Sequence, residues 1–256
     1  MEVERRRGIT IRAAVTSFDV DDLAVNLVDT PGHPDFIAEV ERSLTVLDSA
    51  VLVLSSVEGV QPQSVVIWRA LQRVGVPTAL FVNKVDRGGS DVAAVVAQVR
   101  RRLTRVVVQL ARPVAEGTGD ADVVPVSPDD ESVVEAVATV DDGVLAGWLD
   151  GGELSAERIR VALRRGTRDG TLTPLLCGSA LTGVGVPLLR ALLHDVLPRA
   201  GDDGGPAAGT VFAVDRDKRG RRAWMRLWSG EIRMRERVWI SGTDEYGAWV
   251  SWHTQR

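Results

Sequence analysis

A single cysteine, Cys177, stands among 256 residues, so no disulfide within the chain can brace the fold, and a lone thiol fits a reducing compartment. No apolar run approaches the roughly 18 residues of a membrane-spanning helix. The opening MEVERRRG also lacks the apolar stretch of a secretory signal. The expectation is a soluble, cytoplasmic protein with no membrane partner. Charge of either sign is not in surplus: 31 basic and 35 acidic residues leave −4, so there is no global basic field to hold DNA. Lysine is scarcest of all, with only Lys84 and Lys218 against 29 arginines. We read that imbalance as GC-rich coding, in keeping with abundant Ala, Val and Gly, and it makes each lysine easy to audit. No internal repeat is visible. What the chain does have, 45% hydrophobic and 26% charged residues, is enough for one large domain or for one domain and part of another.

Through residue 200, apolar strand-like runs alternate with amphipathic stretches. Candidate strands are 11–18, 23–28, 49–54, 77–82 and 173–177; candidate helices are 36–47, 62–74, 90–110, 155–168 and 186–196. In the first helix Ile37, Val40, Leu44 and Leu47 recur on one face. Strands alternating with helices, each strand almost continuously apolar, predict an α/β fold with a mostly parallel sheet covered on both faces. Residues 112–153 are acidic and weakly periodic and read as loops and short elements over the domain's edge. The stretch 199–209, RAGDDGGPAAG, has the density of Gly, Asp and Pro expected of a linker. Beyond it the pattern turns to short strands near 210–214, 221–227 and 237–240, with a turn at Ser229-Gly230-Glu231. Five of the seven tryptophans also lie beyond residue 223. The expected organisation is an incomplete α/β domain over 1–200, a linker over 201–208, and the start of an all-β domain over 209–256, too short to close a barrel.

Three short motifs sit at strand ends, where open α/β sheets place ligand contacts. DTPGH, residues 29–33, ends the second strand with an acid and follows it with a hydroxyl, a proline, a glycine and one of three histidines. Taken alone these are also ordinary turn and cap residues. NKVD, residues 83–86, follows the fourth strand. Asp86 can accept two hydrogen bonds from the ring N–H and amino group of guanine, a donor pair that adenine lacks. Asn83 can tie neighbouring loops together and the stem of Lys84 can lie over the base. GSA, residues 178–180, can offer backbone N–H groups to the guanine oxygen. RGIT, residues 7–10, places a hydroxyl upstream. Each motif has a bland reading as a turn. Their order along the chain, each at a strand edge, fits one purpose: magnesium, γ-phosphate, then base.

The blocks ERRRGITI, VNLVDTPGHPDFIAEVERSLTVLDSAVLVLSSVEGVQPQS, GVPTALFVNKVDR and GSA together resemble the translational GTPases. Within them the resemblance is to elongation factor G and the tetracycline-resistance ribosomal protection proteins, and it covers about residues 1–240. It implies a P-loop-type GTPase domain followed by the start of a β-barrel domain. It also implies GTP and Mg2+ as ligands, the ribosome as partner, and a monomer. By that resemblance Thr10 coordinates magnesium, Asp29 reaches it through water, and the Gly32 amide senses the γ-phosphate. His33 positions the attacking water, and Asn83, Lys84, Asp86, Ser179 and Ala180 hold the guanine. His194 and His253 read as structural or solvated. The gap from 87 to 177 shows no obvious inserted α/β unit of the elongation factor G type. That gap, with ITIRAAVTSF and RRAWMRLWSGEIRMRERV, favours the ribosomal protection class.

Neither lysine lies in the phosphate-binding pattern G-x-x-x-x-G-K-[ST], so the residues at hand contain no phosphate loop. We therefore expect a fragment, with Met1 read as an internal position of switch I, the far end falling inside the second domain, and little activity on its own. Two alternatives stay open: an elongation factor G or release-factor-like GTPase, and a non-catalytic product that binds no nucleotide.

Overall fold

The computed structural model describes residues 14–30, 32, 37–151, 154–201, 204–217, 220–233, 238–239 and 246–247. The chain forms two compact units, Met1–Val46 with Ala200–Arg256, and Leu47–Arg199. Thr10 and His33 lie outside the described residues.

In the first unit, β1 (Ala14–Val20) and β2 (Leu23–Asp29) form an antiparallel hairpin of their own. It is closed by a turn in which Asp21 takes φ 52°, a left-handed conformation that aspartate tolerates better than most residues. The strands expected at 11–18 and 23–28 therefore pair with each other and are not members of the parallel sheet. Helix α1 (Ile37–Leu44) buries Val40 and Leu44, the helical face expected from their spacing.

The second unit carries, in chain order, β3 (Ala50–Ser55), α2 (Pro62–Val74), β4 (Thr78–Asn83), α3 (Val92–Arg102), β5 (Val107–Gln109), β6 (Ala111–Val114) and β7 (Asp122–Pro125). It continues with α4 (Glu131–Ala138), α5 (Asp142–Leu149), α6 (Ala156–Arg168), β8 (Thr173–Cys177) and α7 (Val186–Asp195). Four strands make one all-parallel sheet in the order β3-β4-β8-β5. Burial follows that order. The inner strand β8 is buried at every residue and β4 at all but its last, while the edge strand β3 leaves Val53 exposed.

Local chemistry marks the helix ends. Helix α2 begins with Pro62 and stops at Gly75 in the left-handed region. Asp91, Asp130, Asp141 and Ser155 cap α3, α4, α5 and α6 by accepting N–H groups of the first turn.

Two cores lie on opposite faces of β5, as strand alternation requires. Val107 joins the core built from β3, β4, β8, α2, α3 and α7, which contains Trp68, Leu80, Val95 and Leu175. Val108 joins a second core with Val133, Val137, Val144, Ile159 and Leu172. Residues 112–153 hold loops and short elements, as expected, and the second core adds an interior that the weak periodicity did not announce. The segment between β5 and β8 holds a hairpin, β6 with β7, and helices with an interior of their own. Its helices α4 and α5 are only eight residues each, too short to show a strong period. The expected helix 90–110 is likewise shorter. It stops at Leu103, and the β-branched Val107 and Val108 pass into the sheet instead.

Returning to the first unit, β9 (Ala208–Asp217) and β10 (Gly220–Ser229) form a long antiparallel hairpin with two register shifts. Two short strands, β11 (Val238–Trp239) and β12 (Tyr246–Gly247), pair antiparallel. Gly230, at φ 64°, turns the chain out of β10 within the Ser229-Gly230-Glu231 turn.

Candidate functional site

Because β3, β4 and β8 run parallel, the three loops that leave their carboxyl ends open on one edge of the sheet: 56–61, 84–91 and 178–185. They are tied together by main-chain bonds. Ser56 N–H donates to Asn83 O at 2.8 Å, Asp91 N–H to Ser56 O at 3.0 Å, Val85 N–H to Gly178 O at 3.2 Å and Gly178 N–H to Val82 O at 3.0 Å.

Asn83 is the centre of this arrangement. Its Oδ1 accepts the N–H of Lys84 and the N–H of Ala180, each at 2.8 Å, so one side chain joins loops 97 residues apart. Lys84 takes φ 75°, a left-handed conformation for a residue with a full side chain. Its Nζ donates to both carboxylate oxygens of Glu58, at 3.1 and 3.2 Å. Lys84 O accepts the N–H of Arg87 at 3.0 Å, which closes a turn around Val85 and Asp86. Asp86 is half-buried, and its Oδ1 is shut off from solvent with no hydrogen-bond partner among the described residues. An unpaired carboxylate oxygen in such a place is costly and asks for a donor. A planar ring that presents an N–H beside an amino group supplies two, so the residues present fit a guanine base.

Ser179 is buried and holds its own loop: its Oγ accepts from Thr182 N–H at 3.3 Å, and its N–H donates to Val184 O at 2.8 Å. The amides of Ser179 and Ala180, expected to face a guanine oxygen, are thus engaged within the protein, and what the two residues visibly supply is the loop's shape. That shape depends on glycine. A Cβ on Gly178 would lie 2.2 Å from Val184 O, and one on Gly185 would lie 2.3 Å from Cys177 O. Beneath the loop, burial above all, and then the charge of Glu116, push the Cys177 thiol up to about 12. The thiol is inert and structural.

Asn83, Lys84, Asp86, Ser179 and Ala180 thus gather on one sheet edge in the second unit. Asp29 and Gly32 belong to the first unit. Asp29 is exposed at the end of β2, and Gly32 is exposed with room around it, since a Cβ there would meet nothing within 4 Å. Among the described residues no three His, Cys, Asp or Glu side chains cluster as a metal site. Of the two proposed magnesium ligands, only Asp29 is described, and it is exposed. Glu58 and Gly185 are the participants that motif reading missed. Glu58 carries no local signal, whereas the run Gly183-Val184-Gly185 after a strand hinted at a tight backbone crossing.

The family model of the elongation factor Tu GTP binding domain matches residues 1–199. The chain is 45% identical to the oxytetracycline resistance protein of Streptomyces rimosus, over 96% of this chain and 38% of that protein. It is 48% identical to the tetracycline resistance protein TetM of Streptomyces lividans, over 92% of this chain and 38% of the relative. Elongation factor G 1 of Geobacter sulfurreducens is 38% identical over 94% of this chain and 42% of that protein. The chain therefore spans about two fifths of the length of the curated relatives it matches. Among solved structures, one from Thermus thermophilus aligns with a TM-score of 0.79 and 28% identity, covering 93% of this chain and 40% of that one.

Proposed function

The chain belongs to the family of the elongation factor Tu GTP binding domain, and from that premise we propose that it is the guanine-recognising part of a ribosome-dependent GTPase that protects the ribosome from tetracycline. One observation carries the reading: the unpartnered Oδ1 of Asp86, held by the NKVD turn beside the Asn83–Ala180 bridge. Two resistance proteins at 45% and 48% identity support the protection class, while elongation factor G 1 and the tetracycline resistance protein TetW both stand at 38%. The first is named for oxytetracycline and the second for tetracycline.

In this reading Asp86 accepts the ring N–H and amino group of guanine, and Asn83 keeps the two base-side loops in register. Lys84 lies along the base, while Ser179 and Ala180 shape the far side of the pocket. Thr10 and Asp29 hold Mg2+, which when bound would neutralise phosphate charge. Gly32 offers its amide to the γ-phosphate. His33 orients the water that attacks it and handles the proton that water sheds. The 256 residues include no phosphate loop, so turnover belongs to the whole protein, working in the cytoplasm on the ribosome.

The test is base choice. Xanthine presents an acceptor where guanine presents its amino donor, so Asp86→Asn should reverse the preference between guanosine and xanthosine monophosphates in a competition titration. An unchanged preference for guanosine would remove Asp86 from the base site.

A further inference from the structure

We propose that Glu58 is a positioning residue for the nucleotide site, clamping Lys84 so that its stem forms one fixed wall of the guanine pocket. The inference rests on the guanine reading of Asp86 and concerns a residue outside the NKVD and GSA motifs.

The geometry begins with the loop that carries Glu58. Ser55 Oγ accepts the N–H groups of Val57 and Glu58, both at 3.2 Å, and Ser55 O accepts the N–H of Gly59 at 2.9 Å. Glu58 O accepts from Gln61 Nε2 at 2.7 Å. Val60 N–H donates to Gln98 Oε1 at 3.0 Å, and Val60 O accepts from Arg102 of the same helix, α3. Gly59 at φ 69° turns the chain where a side chain would strike Gln98. Nearly every backbone group from Ser55 to Val60 is therefore committed, and the loop presents Glu58 from a rigid base.

On the other side, Lys84 starts from a left-handed backbone fixed by Asn83 Oδ1, and its ammonium reaches both oxygens of Glu58. A lysine stem is flexible and loses much rotamer freedom when confined. Anchoring it at both ends confines it before a base arrives, which lowers the ordering cost of binding. The carboxylate of Glu58 is correspondingly held below its ordinary value, first by the hydrogen bond from Lys84.

The experiment is a ligand-observed NMR titration of guanosine monophosphate against the full chain, Glu58→Gln, Glu58→Asp and Asp86→Ala, at low salt and at high salt. Glu58→Gln should weaken binding about two- to fivefold at low salt, the range expected of one partly exposed ion pair. Glu58→Asp should recover part of the loss. The deficit should vanish at about 1 M salt, where the Debye length falls to about 3 Å and the pair is screened in both proteins. A deficit that persists at high salt would mean that Glu58 merely shapes its loop, and the proposal fails. Wild-type affinity in Glu58→Gln, with binding abolished by Asp86→Ala, overturns the clamp and leaves the guanine site standing. Full binding by Asp86→Ala, or none by the wild type at millimolar nucleotide, overturns both.

Discussion

Gly178 and Gly185 stand back to back where β8 ends and α7 begins, and replacing either by alanine should separate two physical costs. A Cβ on Gly178 would lie 2.2 Å from Val184 O, 2.8 Å from Phe81 Cζ and 3.1 Å from Gly185 Cα. An unstrained contact needs about 3.5 Å, so the loop must retreat by roughly 1 Å. Two of the three obstacles are backbone and the third is a buried ring, so none can swing aside. Overpacking of this kind costs about 1–3 kcal/mol. Gly185 meets the same crowding, 2.3 Å from Cys177 O and 3.0 Å from Gly178 Cα, and in addition sits at φ 77°. A left-handed alanine adds about 1–2 kcal/mol, which brings Gly185→Ala to about 2–5 kcal/mol.

Gly75 supplies the control. It shares the left-handed conformation, φ 76°, but has nothing within 4 Å of a built Cβ. Gly75→Ala should therefore cost about 1–2 kcal/mol, the conformational part alone. Urea unfolding followed by circular dichroism reads all three, with the loss expected in the midpoint and an unchanged slope. The loop displacement should also pull Ala180 N–H away from Asn83 Oδ1, so Gly178→Ala should lose guanosine monophosphate binding while still folded. If Gly185→Ala proves no worse than Gly75→Ala, the close approach of the two segments is wrong, and with it the account of how Ser179 and Ala180 are placed.

Two further outcomes follow from single residues. The Cys177 thiol ionises near 9.0 when unburied and at about 12 in the fold. Its contribution to stability is therefore whole below pH 9 and is lost as the pH climbs toward 12. Urea midpoints measured between pH 9 and 11 should fall less steeply in Cys177→Ala, and a thiol reagent at pH 8 should label the native protein only as fast as it unfolds. Under the proposed function, His33→Ala in the whole protein should leave GTP binding nearly intact and slow hydrolysis by about two to four decades, the span of a positioned proton-handling group. Equal losses in binding and in single-turnover rate would make His33 structural.

What could be read in advance was local, and what could not was contact between segments far apart in sequence. The strand ends at Asn83 and Cys177 and the α2 boundaries follow from apolar runs, Pro62 and Gly75, all within a few residues of the feature they mark. The grouping of Asn83 with Asp86 was legible in NKVD for the same reason, since both lie in one turn. The bridge from Asn83 to Ala180 spans 97 residues, and nothing in either loop alone announces it. Residues 112–153 were hard to read because α4 and α5 make barely two turns each, and the interior shared by Val133, Val137 and Val144 is completed by Val108, Ile159 and Leu172 from outside the segment. The first two strands misled differently: their apolar content suits a sheet, but content does not choose a partner. Pairing to each other leaves β2 at the edge of one sheet, and β3 lies at the edge of another. Along β3, Ala50 N–H and Ser56 N–H both turn toward the β4 side. By alternation, the main-chain groups of Val51 and Val53 face away from that ladder. Val53 is also 55% exposed, so among the described residues β3 combines an unpaired backbone edge with an apolar side chain in solvent. Such an edge pairs readily with another strand. The same alternation that sends Val107 and Val108 to two different cores thus decides which groups of β3 remain available, and neither fact depends on residue type alone.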